Sequence, residues 1–199
     1  NAEVVARAVT LGFNGPGELR LQNAKITRPD DNPDTTAFLG FTAPATATVT
    51  ARGFWQWGEL SLGLAQPARL QVEDGALVGF AANRMWVGGS VLALPIRNQS
   101  ASVLVTNASN NPGTLDLGTL FGPVTEMFIG EALIGRLEIR DGAKTVAVTT
   151  TVGTRDHGSL TDGFLTVQGT NALAPARFES GSGVQGGLFV ATGAGTDAL

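Results

Sequence analysis

Apolar and polar residues alternate along this chain in short runs, and Gly, Pro, Asn or Asp interrupts the runs every eight to twelve residues or so. A period of two marks strands with one covered and one wet face, and breakers this frequent leave no room for long helices. The runs are Glu3–Phe13, Glu18–Gln22, Ala45–Arg52, Glu59–Leu64, Ala68–Glu73, Ala76–Ala81, Val91–Pro95, Ser102–Thr106, Leu133–Arg140, Lys144–Val152 and Phe164–Gln168. The one stretch with any helical character, Val124–Leu133, is weakened by Gly130. The expectation is an all-β chain folded as an antiparallel β-sandwich or jelly roll.

Two Asp-Gly pairs, Asp74-Gly75 and Asp141-Gly142, stand between alternating segments. The type I′ turn needs φ > 0 at both central residues, which Asp-Gly tolerates, so each pair predicts a two-residue hairpin. Val72 would then lie opposite Leu77 and Leu137 opposite Val146. The segments Arg69–Ala76 and Arg136–Ala143 agree at five of eight positions. Either two related β-modules are present, or two hairpins share one turn chemistry; the second reading is simpler, because the likeness fades outside these segments.

At 199 residues and 20.5 kDa the chain can bury roughly 70% of its extended surface, so a single β-rich unit over 1–199 is stable without staples. The Asn- and Pro-rich loop at 107–113 offers a division into 1–106 and 114–199, and the Gly/Ser-rich segment 180–187 reads as flexible. The terminal run Glu3–Phe13 is read as one strand that closes its own sheet or pairs with the edge of a neighbouring subunit. The first residues, Asn1-Ala2-Glu3, include no initiator Met, which predicts a trimmed form compatible with export.

Composition excludes several chemistries. Zero Cys removes disulfides, thiolate nucleophiles and sulfur-ligated metals, and a single His removes multi-histidine metal sites. With Lys+Arg 13 against Asp+Glu 17, a net charge of −4 and lysines only at Lys25 and Lys144, nucleic acid is not an expected partner. The longest apolar candidate, Met85–Ile96, is interrupted by Gly88, Gly89 and Ser90, so no membrane-spanning helix is expected.

The remaining candidate sites are few. His157 lies in the polar stretch Arg155–Asp162, where neighbours this close in sequence rarely converge as a catalytic relay; a polar loop is the better reading. Asp30, Asp31 and Asp34 supply oxygens suited to Ca²⁺, yet they lack the EF-hand spacing, and Pro29 and Pro33 suit an exposed turn. Gly181–Gly186 fits Gly-x-Gly-x-x-Gly without the strand–helix context that gives the motif meaning. Asn98 and Asn107 begin glycosylation sequons, and Glu59, Glu73, Asp74, Glu126, Glu131 and Glu138 are the acids from which a facing pair could come. Trp55 and Trp57 share one face of a strand, so they either fill the core with Trp86 or serve as a subunit contact or sugar platform.

No cofactor is expected. The residue types point to a non-enzymatic structural subunit of a surface assembly, located in a virion (capsid, decoration or tail-fibre) or at an extracellular surface as a filament. Its partners would be copies of itself and other assembly subunits. The rival is a carbohydrate-binding module that takes surface glycan on Trp55 and Trp57, and a glycan-degrading enzyme is the third reading.

Overall fold

A computed structural model of the chain describes residues 2–29, 35–79, 82–89, 100–107, 111–117, 126–131, 134–153, 162–169, 175–180 and 187–190. Its strands come in threes. The first coil is β1 (Ala2–Val5), β2 (Ala8–Leu11) and β3 (Gly17–Gln22); the second is β4 (Ala24–Thr27), β5 (Thr36–Leu39) and β6 (Ala45–Thr50). The third is β7 (Phe54–Trp55), β8 (Glu59–Leu62) and β9 (Ala68–Val72); the fourth is β10 (Leu77–Val78), β11 (Arg84–Val87) and β12 (Ser100–Val105). The fifth is β13 (Thr114–Leu117), β14 (Glu126–Ile129) and β15 (Ile134–Arg140); the sixth is β16 (Lys144–Ala147), β17 (Thr149–Val152) and β18 (Gly163–Gln168). Two further strands, β19 (Arg177–Ser180) and β20 (Gly187–Val190), begin a seventh.

First strands of successive coils stack as sheet A, second strands as sheet B and third strands as sheet C, and every described pairing is parallel. The fold is a parallel β-solenoid, roughly 29 Å from first to last strand at the usual inter-strand spacing. This overturns the antiparallel sandwich or jelly roll. Parallel strands ordinarily lie buried on both faces and read as continuous apolar runs. Here sheet C keeps one face in water, so its strands alternate as antiparallel ones do, while in sheets A and B outward Val146, Ser61 and Trp86 are buried as well.

The two Asp-Gly turns form as the sequence predicts but do not make hairpins. Asp74 and Gly75 have φ of 54° and 72°, Asp141 and Gly142 have 55° and 82°, and the Ala76 and Ala143 amides close the turns onto the Glu73 and Arg140 carbonyls at 3.0 Å. The chain then leaves sheet C for sheet A: Leu77 pairs with Phe54 and Thr114, and Val146 with Asp116 and Glu179. The segments Arg69–Ala76 and Arg136–Ala143 thus stand two coils apart in equivalent places, both registered on Ser102. Glu3–Phe13 is two strands around a corner at Ala6-Arg7, Lys144–Val152 breaks at Val148, and Val124–Leu133 contains strand β14. Strands on both sides of the 107–113 loop belong to the same stack; 91–95 and 181–186 lie outside the described residues.

One corner repeats in every full coil. In the six full coils the sheet B strand ends on an aliphatic residue followed by glycine, from Leu11-Gly12 to Val152-Gly153, and all six glycines have φ between 66° and 79°. That left-handed conformation favours Gly, and here the glycine amide also donates to the aliphatic carbonyl one coil earlier, as from Gly63 to Leu39 at 2.8 Å and from Gly130 to Val87 at 2.8 Å. The chain then enters sheet C on a small residue: Gly17, Ala45, Ala68, Ala101, Gly135 and Gly163 are in register. A Cβ on Gly135 would overlap the Val87 carbonyl.

Inward-facing positions stack into apolar rows. Sheet B contributes Leu11, Leu39, Leu62, Val87, Ile129, Val152 and Val190, and sheet C contributes Leu21, Val49, Val72, Val105, Ile139 and Val167. The sheet A row runs Val4, Ile26, Trp55, Val78, Leu115, Thr145, Phe178. In the middle coils these side chains are fully buried and form one core.

Candidate assembly interface

The same rows that bury the middle coils run out at both ends. Val4 is 55% exposed in the first coil, while Val167, Leu188 and Val190 in the last strands are 46%, 48% and 43% exposed. By register these four belong to the interior rows, where their equivalents one or two coils inward are buried. Their exposure follows from position in the stack. Among the described residues the outer strands β1, β2 and β3 at one end and β18, β19 and β20 at the other pair with a strand on one side only, the position from which a sheet can be extended by a further strand.

The charges at these ends are ordered too. Along one outward row of sheet A stand Glu3, Lys25, Phe54, Leu77, Thr114, Lys144 and Arg177, in register. The row starts with an anion and finishes with two adjacent cations. Lys144 is paired by Glu179 at 3.0 Å, on the diagonal.

The tryptophans lie elsewhere. Trp55 and Trp57 are 0% and 1% exposed and meet edge to face with ring centroids 5.2 Å apart, so neither offers a ring face to a ligand. Trp86 points outward from sheet B yet is only 4% exposed, and it stacks on Phe128 at 5.9 Å and 15°. Beside that stack the structure brings two of the candidate acids into one row. Arg84 stands between Glu59 and Glu126, with Nε 3.0 Å from Glu126 Oε2 and NH1 3.8 Å from Glu59 Oε1. The guanidinium occupies the space that a glycosidic oxygen or attacking water would need between paired acids, and its single positive charge faces both carboxylates.

Of the other acids, Asp74 accepts from Thr50 Oγ1 at 3.0 Å, Glu73 from Gln71 Nε2 at 2.7 Å, and Glu138 pairs with Arg140. Each is held by a neighbour on the wall of the coil. Asp30, Asp31, Asp34, His157 and Asn98 lie outside the described residues. Among the described residues no three His, Cys, Asp or Glu side chains gather as a metal site, and no helix is long and apolar enough to cross a membrane.

Comparisons with protein-family models, curated proteins and solved structures find no match. The functional reading rests on the coil itself. The sequence predicts edge pairing with a neighbour on one continuous N-terminal strand, which is two strands here, and a last strand at Leu188–Thr192, which overlaps β20 and whose Leu188 and Val190 are exposed at the far end.

Proposed function

We propose that this chain is a non-enzymatic structural subunit of a surface assembly, a short rigid rod that joins other subunits through its strand edges. The observation that carries the reading is the exposure of interior-row residues at both ends of an otherwise filled stack. A coil this regular fixes the separation and orientation of whatever it joins, because each layer is pinned to the next by backbone ladders in three sheets. The walls carry paired charges such as Glu59–Arg84–Glu126, which keep the rod's sides in water.

The test is a panel of polysaccharides and peptides incubated with the purified chain, together with glycan titrations followed by tryptophan emission. The expected result is no turnover and a blue-shifted emission that resists quenchers and is unchanged by glycan. Turnover lost in Glu126→Gln, or a saturable glycan-induced shift in emission, would replace the structural reading with an enzymatic or lectin one.

A further inference from the structure

We infer that the occupant of the open end at β19 and β20 is a second copy of this chain, whose β1 and β2 continue sheets A and B head to tail. This rests on the structural reading above and gives it a partner and a register. Extending the existing ladder by one coil sets Val4 of the incoming copy over Phe178, and Val9 and Leu11 over Leu188 and Val190. These inward pairs at the junction are apolar, and the exposed Val4, Leu188 and Val190 are covered in one step.

Charge selects the same register. Arg177 follows Lys144 directly in its row, a like-charged neighbour, so an anion is favoured on its other side. The continued register places Glu3 there, the residue that opens this row at the other end of the molecule. One slip along the strand would put Val4 or Ala2 opposite Arg177 and turn the apolar row outward. Among the described residues the last strand of sheet C is β18, one layer earlier, and sheets A and B make the junction. The contact joins two different surfaces, the two ends of the coil, and such a contact propagates in a line and does not close into a dimer.

The experiment is sedimentation velocity of the 199-residue chain over a wide concentration range, with negative-stain imaging of the largest species. Open-ended linear oligomers are expected, lengthening by roughly 34 Å per copy at the ladder spacing. Glu3→Arg sets two cations against each other at the junction and weakens association roughly tenfold; Arg177→Glu does the same with two anions. The double variant restores it. Both positions lie on end strands, and circular dichroism checks that each variant keeps its strands. A chain that stays monomeric, a closed dimer, or oligomers indifferent to both single variants would each overturn the inference. None of these touches the turnover and glycan panel, on which the structural reading stands or falls.

Discussion

Thr145 and Thr150 occupy inward positions of the sixth coil, fully buried, and neither hydroxyl finds a hydrogen-bond partner among the described residues. Each sits in an apolar row, between Leu115 and Phe178 in one case and Met127 and Leu188 in the other. A buried unpaired hydroxyl costs on the order of 1–3 kcal/mol, and valine has nearly the same shape. Thr145→Val and Thr150→Val are each expected to raise stability by about 1 kcal/mol, read as a higher urea midpoint at unchanged slope. The corner glycines test the opposite direction. Gly40, at φ +74°, faces the Gln66 carbonyl where a Cβ would go, whereas Gly15 has open space. Gly40→Ala should therefore cost more than about 1 kcal/mol and Gly15→Ala less than about 0.5 kcal/mol in the same assay.

At the scale of the strand, what a side chain contributes depends on its layer. The sheet C row Leu19, Ala47, Leu70, Val103, Leu137, Leu165 places similar leucines both in the middle and at the ends. Leu70 and Leu137 are sealed above and below, while Leu19 and Leu165 are only half-buried. Truncating a sealed leucine loses its transfer free energy and leaves a cavity, about 2–5 kcal/mol for Leu70→Ala or Leu137→Ala. Leu19→Ala and Leu165→Ala should each cost under about 2 kcal/mol, because solvent already reaches the site. Equal losses across the four in denaturant titrations would mean that the end coils are as covered as the middle ones.

For the whole molecule, a solenoid is held by nearest-neighbour layers, so its stability is distributed along one axis. Among the described strands, coils two to five have neighbours on both sides in all three sheets, and the outermost strands have one. Amide hydrogen exchange should protect β9 and β12 most and β1 and β20 least, with opening that begins at the ends. The predicted gradient flattens at high protein concentration if copies stack, because each junction turns two ends into interior layers. Uniform protection at every concentration would contradict the layered description.

Sequence alone determined that the chain is all-β, and the reason is local: the period of two and the density of breakers are properties of single strands. It also located the Asp74-Gly75 and Asp141-Gly142 turns and put Val72 and Leu137 on covered faces, since both depend only on neighbouring residues. Strand direction was decided by tertiary structure. Alternation records one wet face and is silent about which way the adjacent strand runs, and a turn with two positive φ values serves a hairpin or a corner equally well. The repeat was hidden for a related reason. The aliphatic-Gly corner is followed by a small residue at a constant distance in four coils, but longer excursions separate Gly88 from Ala101 and Gly153 from Gly163, so no fixed period survives in the sequence. Only the stacking of coils brings those positions into register, because insertions at a corner leave the ladder spacing unchanged.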